Sequence, residues 1–201
     1  LSKNHYTQLR IAETEKIAHV TFFFDGGKDY FKNGLATQGE ITLPGASIDL
    51  IPSQKVDTYD LKPEMSAPLI TNKLISEIAK DKYDVIILNF ANADMVGHTG
   101  NLKAAIKAID TIDECLGKIY QSLKKVDGTL IITADHGNAE VMIDEQGEIN
   151  KKHTSQLVPL IICKKGLKLK SEGSLANITP TILDLLKLKP AKEITAESLL
   201  Q

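Results

Sequence analysis

Arginine is nearly absent from this chain: Arg10 is the only one in 201 residues. No cluster of guanidinium forks is available to grip carboxylate and phosphate groups side by side. An excess of charge of one sign is also missing. The 24 basic and 26 acidic side chains leave a formal net charge of −2, which argues against a nucleic-acid protein with a basic face. No apolar run reaches the roughly 18–20 residues that a membrane-spanning helix needs. The start carries no basic, apolar, then small-residue pattern of a signal peptide. The two cysteines, Cys115 and Cys163, lack CxxC spacing and read as buried, reduced thiols of a cytoplasmic protein. There is no internal repeat and no low-complexity tract. The first residues are Leu1-Ser2-Lys3-Asn4, without an initiator methionine, so a piece of a longer protein is expected.

Hydrophobic residues make up 42% and charged residues 25%, ordinary values for a globular protein. A chain of 201 residues suits one well-buried α/β domain spanning residues 1–201. Residues 4–16 read as a short helix and Ala18–Phe24 as a strand ended by the Asp25-Gly26-Gly27 turn. Residues 26–68, broken by Gly, Pro and Ser, read as irregular. Thr71–Lys80 has helical periodicity. Asp84–Phe90 and Thr129–Thr133 are apolar runs of the kind found in strands buried on both faces. Between them, Leu102, Ala105, Ile106, Ile109, Ile112, Leu116, Ile119 and Leu123 mark the apolar face of a helix over 101–124. Residues 139–152 alternate as a hairpin would. Val158–Cys163 reads as a strand with Pro159 at its start or on an edge. A last helix is expected to open with Thr179 as N-cap and Pro180 at its first position. Alternating strands and helices predict a mostly parallel sheet with helices on both faces.

Three segments carry the chemistry: Asp94-Met95-Val96-Gly97-His98, Asp135-His136-Gly137 and His153-Thr154. In parallel sheets, sites form outside the carboxyl ends of strands. Asp94 and Asp135 each follow such an end, and the hairpin could return His153 beside the second. Asp94 and His98, four apart, share one face of a helical turn. Carboxylate and neutral imidazole together suit a borderline divalent cation. Five ligand-type residues could serve two incompletely held ions, which would clamp a phosphoryl group and activate an oxygen nucleophile. Taken singly, each segment has a bland explanation. Asp-x₃-His is often a cap with a surface pair, and Asp-His-Gly is often only a turn. Their convergence on one sheet edge favours a metal-dependent enzyme acting on a phosphate ester or similar anion.

The longer runs around these segments are recognisable. Arg10–Lys16 (Arg-Ile-Ala-Glu-Thr-Glu-Lys), Asn89–Gly100, Thr133–Glu140 and His153-Thr154 closely resemble the cofactor-independent phosphoglycerate mutases. Ala18–Phe24 and Tyr59–Ser66 are also similar to that family. Leu175–Leu183 resembles a helix found more widely in the alkaline-phosphatase-like superfamily. The resemblance implies an alkaline-phosphatase-like α/β domain with two divalent ions, Mn²⁺ foremost and Co²⁺ or Zn²⁺ as alternatives. Asp94, His98 and His153 match the positions that hold one ion, and Asp135 and His136 match two ligands of the other. Lys16 matches a catalytic lysine at the substrate phosphate, where an ammonium offsets developing charge. The implied activity is interconversion of 3-phosphoglycerate and 2-phosphoglycerate. A serine takes up and returns the phosphoryl group, in a monomeric cytoplasmic enzyme with neither nucleic-acid nor membrane partners.

The departures matter equally. The family's nucleophilic serine and a further aspartate ligand belong to an amino-terminal segment, and its arginine-rich substrate domain is inserted after that segment. Neither is found here. Ser47, Ser53, Ser66 and Ser155 all stand in other contexts. The resemblance therefore implies a carboxyl-terminal portion with one complete ion site and half of another, inactive by itself. Another metal-dependent phosphatase or phosphomutase of the superfamily, or a non-catalytic binding module, are the alternative readings.

Overall fold

Six consecutive residues, Gln8–Glu13, are buried and form the central strand β1. This computed structural model describes residues 1–27, 38–40 (backbone only), 43–150 and 152–201. β1 pairs in parallel with β3 (Ala46–Ile51) on one side and β4 (Val85–Asn89) on the other. β2 (Gln38–Glu40) adds antiparallel to the far edge of β3, giving the order β2-β3-β1-β4. The sheet is flanked by helices: α1 (Ile17–Val20) and α2 (Ala67–Ile78) both contact β1. This is the mostly parallel α/β arrangement that the sequence predicts.

The described residues fall into two compact units. The first comprises Leu1–Gly128 with His136–Leu157 and contains the sheet, α1, α2, α3 (Asn92–Gly97) and α4 (Leu102–Lys124). The second comprises Thr129–Asp135 with Val158–Gln201. In it β5 (Ile131–Thr133) pairs antiparallel with β6 (Leu160–Ile162), which starts directly after Pro159, and α5 (Ile178–Leu185) follows.

Several local expectations are corrected. Residues 4–16 are not a helix: a single 3₁₀ turn at Ser2–Asn4 precedes β1. The polar residues of β1 disguised it, because each finds a buried partner. Arg10 pairs with Asp25 at 3.1 Å, donates to the Val20 carbonyl at 3.1 Å and to Gln8 Oε1 at 2.9 Å, and lies against the Phe24 ring. Ala18–Phe24 is not a strand. It forms the short helix α1 and hydrogen-bonded turns, with Phe23 N donating to the Ala18 carbonyl at 3.0 Å. The stretch 26–68 contains β2 and β3, while its residues 28–37 and 41–42 lie outside the described set. The hairpin at 139–152 is reduced to one bridge, Ile143 with Ile149, and residue 151 is not described. α5 starts at Ile178, after a 3₁₀ turn that Ser174 and Asn177 cap reciprocally; Pro180 lies inside it and Thr179 is no cap. β4 and Ile131–Ile132 of β5 are half-buried, because each strand has a pairing partner on one side only among the described residues.

The most telling correction concerns α4. Its buried residues are Ala104, Ala105, Ala108, Thr111, Cys115, Ile119 and Ser122. Leu102, Ile106 and Ile109, expected inside, are exposed. Small side chains let α4 approach α2 and α3 closely, and that approach fixed which face turned inward. The core formed there joins Met65, Ala91, Val96, Ala104, Ala105, Ala108 and Met142. Met142 thereby anchors the segment carrying His136 and His153 against α3 and α4. Cys115 is buried and Cys163 half-buried, and both are free thiols.

Candidate metal centre

α3 begins soon after β4 ends, and its alternating environment aims the site. Val96 is fully buried, and Asn92, also fully buried, donates to the Pro63 carbonyl at 2.8 Å. That anchoring turns Asp94 and His98 outward together, one helical turn apart, with His98 N bonded to the Asp94 carbonyl at 3.1 Å. His98 Nε2 then stands 3.0 Å from Asp94 Oδ1, and His153 Nε2 stands 3.3 Å from the same oxygen. These three donor atoms lie within 4.8 Å of one another.

Asp94 Oδ1 is buried, yet it makes no hydrogen bond of proper geometry among the described residues. The imidazole nitrogens are near it without bonding to it, so proximity here is not pairing. A buried carboxylate oxygen without a hydrogen bond costs free energy unless a cation joins it. One oxygen and two imidazole nitrogens converging on one point suit Mn²⁺, Co²⁺ or Zn²⁺. The residues present therefore fit a divalent ion.

The other Asp94 oxygen, Oδ2, is taken by the Lys16 ammonium in a nearly dry ion pair. Burial pushes the Asp94 carboxyl up. The Lys16 hydrogen bond and charge, with His98 and His136, outweigh burial and hold it below the usual carboxylate range. Lys16 ends the 3₁₀ turn Thr14–Lys16 directly after β1. The turn is pinned from behind. Fully buried Glu13 accepts from Ser53 Oγ at 2.9 Å, Ser53 N donates to Thr14 Oγ1 at 3.1 Å, and Tyr59 donates to Glu15 Oε1 at 2.8 Å. Burial, and then that bond to Glu15, push the Tyr59 hydroxyl up to about 12.

Around the triad, the His136 and His153 rings stack at 3.5 Å between centroids, 12° from parallel. Buried Asn138 approaches the His98 ring, with Nδ2 at 3.2 Å from Nδ1. Gly97 makes that approach possible, because a Cβ there would collide with Asn138 Oδ1. Of the residues singled out in the sequence, the first unit gathers Lys16, Asp94, His98, His136 and His153. Asp135 is exposed and belongs to the second unit. Sequence reasoning missed Asn138 and Glu140 as neighbours of the histidines. Their sole signal was membership of the run Thr133–Glu140.

The parallel strands β1, β3 and β4, with Asp94, His98 and His153 clustered so that they could hold a metal ion, are those of a metal-binding α/β class, and the chain belongs to the metalloenzyme superfamily, whose model matches residues 1–190. Within that class its similarity is specific. It is 60% identical over its full length to the 2,3-bisphosphoglycerate-independent phosphoglycerate mutase of Mycoplasma capricolum, and 52% identical over 98% of its length to that of Hahella chejuensis. A crystal structure of Leishmania mexicana phosphoglycerate mutase at low cobalt concentration covers 99% of the chain with a TM-score of 0.85 and 30% identity. The chain spans 38% and 36% of the two bacterial relatives and 38% of the Leishmania chain.

Proposed function

We propose that this chain is the metal-binding portion of a cofactor-independent phosphoglycerate mutase, which interconverts 3-phosphoglycerate and 2-phosphoglycerate. The carrying observation is the convergence of Asp94, His98 and His153 in a chain 60% identical to a relative of that name. Asp94, His98 and His153 would hold one ion. Asp135 and His136 would contribute to a second, completed by residues outside this chain. Bound cations would polarise phosphoryl oxygens and favour the ionised form of an oxygen nucleophile. Lys16 performs two tasks. It occupies Asp94 Oδ2, which leaves Oδ1 as the oxygen facing the histidines. Its charge also offsets the negative charge of a phosphoryl group held beside the site. The nucleophilic serine and the arginines that grip the glycerate are supplied by the rest of the polypeptide. We read the whole enzyme as a cytoplasmic monomer of glycolysis and gluconeogenesis using Mn²⁺, with Co²⁺ or Zn²⁺ as substitutes.

The test uses the full-length parent and the 201-residue chain in parallel. His98→Ala should abolish isomerisation by the parent. The isolated chain should not interconvert the two phosphoglycerates. A fully active His98→Ala parent counts against the metal assignment. Turnover by the isolated chain counts against an externally supplied nucleophile.

A further inference from the structure

We propose that Glu140 is a positioning residue that holds His136 and His153 in mutual register for the metal centre. The inference rests on the preceding reading of those histidines as ligands. Its geometric basis is independent of that reading.

The two histidines arrive on chain segments joined by an excursion that forms no regular strand among the described residues, anchored at Met142 and exposed at its tip. Register between such segments is weakly specified unless side chains fix it. Beside the two histidines the backbone contributes the Gly137–Thr154 bridge, with Thr154 N donating to the Gly137 carbonyl at 2.8 Å, and farther out the Ile143–Ile149 bridge closes the excursion. Glu140 adds the side-chain bonds next to the histidines. Its Oε2 accepts from Asn138 N at 2.7 Å, and its Oε1 accepts from the Thr154 hydroxyl. One carboxylate thus grips the segment just after His136 and the residue just after His153. Gly137 is required for this grip, because a Cβ at that position would collide with both Glu140 Oε1 and Thr154 Oγ1. The grip sits next to the stacked imidazoles. Burial pushes the Glu140 carboxyl up, but the Thr154 hydroxyl and the backbone N–H groups outweigh it and keep the acid below its usual range. An ionised acceptor makes the stronger hydrogen bonds.

The experiment compares the wild-type chain with Glu140→Ala, Glu140→Gln and Thr154→Val. Metal-free NMR reads the ring-to-ring contact of His136 and His153, thermal melting reads the fold, and calorimetry reads Mn²⁺ affinity. Glu140→Ala should lose the inter-ring contact and its ring-current shifts while melting cooperatively. Its Mn²⁺ affinity should fall about 10–100-fold, as for other groups that orient ligands. Glu140→Gln retains an acceptor oxygen and should restore most of the contact, which a general loss of stability would not do. If Glu140→Ala fails to fold, Thr154→Val releases the His153 side alone and should show the same loss. An intact ring stack with wild-type affinity in Glu140→Ala overturns the proposal. A lost stack in a chain whose wild type binds no Mn²⁺ supports the positioning role and counts instead against the metal reading.

Discussion

Lys16 and Asp94, 78 positions apart in sequence, meet in an ion pair whose side chains are 7% and 14% exposed. Little water screens this pair, and among the described residues Asp94 accepts no second hydrogen bond of proper geometry. In the metal-free protein, Lys16→Met should destabilise by about 3 kcal/mol, the scale for stranding one partner of a buried pair. Added Mn²⁺ should recover most of that loss, since a ligand at 100 times its Kd contributes about 2.7 kcal/mol. Urea titrations with and without the ion would measure both. Unchanged metal-free stability would show that Asp94 is satisfied without the lysine.

Gly97→Ala tests the close approach of Asn138. The added methyl must displace the Asn138 side chain, at a cost of about 1–3 kcal/mol for overpacking. The resonances of His98, beside Asn138, should shift more than those of other histidines. Gly147→Ala, with open space around its Cβ, serves as the comparison; strain at its φ of +82° is the only penalty expected there.

Two of the buried acids, Glu13 and Glu77, should move stability with pH in opposite directions. Burial raises Glu13 above the ordinary glutamate range, against bonds from Ser53 and Ser66. A raised acid contributes stability below its unfolded pKa and loses it as pH rises through the folded value. Glu13→Gln should therefore stabilise the protein increasingly as pH rises above 4.5, the ordinary value. Glu77 is lowered, chiefly by its hydrogen bond from Lys80 at 2.8 Å and then by Lys73, against burial. Its contribution is complete above 4.5 and lost as pH falls through its lowered value. Glu77→Gln should flatten the acid limb of the stability curve. Denaturation from pH 3 to 8 would reveal either sign reversed.

α4 supplies the sharpest packing test. Ile106 is 53% exposed and Ala108 is fully buried. Ile106→Lys should change stability by no more than about 0.5 kcal/mol. Ala108→Leu should cost about 1–3 kcal/mol by overpacking against the neighbouring helices. The reverse order of effects would mean that the large-residue face is the packed one.

That helix also shows where sequence reading stops. Periodicity located α4 within a residue or two, because it reports a face that repeats every turn. It chose the wrong part of that face, because hydrophobicity scales weigh Ile above Ala, whereas close helix contact selects the smaller residue. β1 was misread for a related reason. It was read as part of a helix over 4–16, and only the tertiary structure supplies Asp25 and Val20 to Arg10 and Ser53 to Glu13. The three phenylalanines Phe22–Phe24 had a strand's composition, yet no neighbouring strand pairs with them among the described residues.

By itself, the sequence determined the α/β class, the positions of α4, β4 and β6, the existence of α2 though not its start at Ala67, and the residue types able to hold a cation. Each is written in local spacing: apolar period, strand-length runs, and Asp94 with His98 one turn apart. What the tertiary structure alone decided is which distant groups meet. Lys16 reaches Asp94 because β1 and β4 are paired in parallel, which places their carboxyl ends side by side. His153 reaches the same carboxylate because Met142 packs against α3 and α4, and because Glu140 bridges to Thr154. Such contacts depend on register and packing summed over the whole fold, which no local spacing encodes.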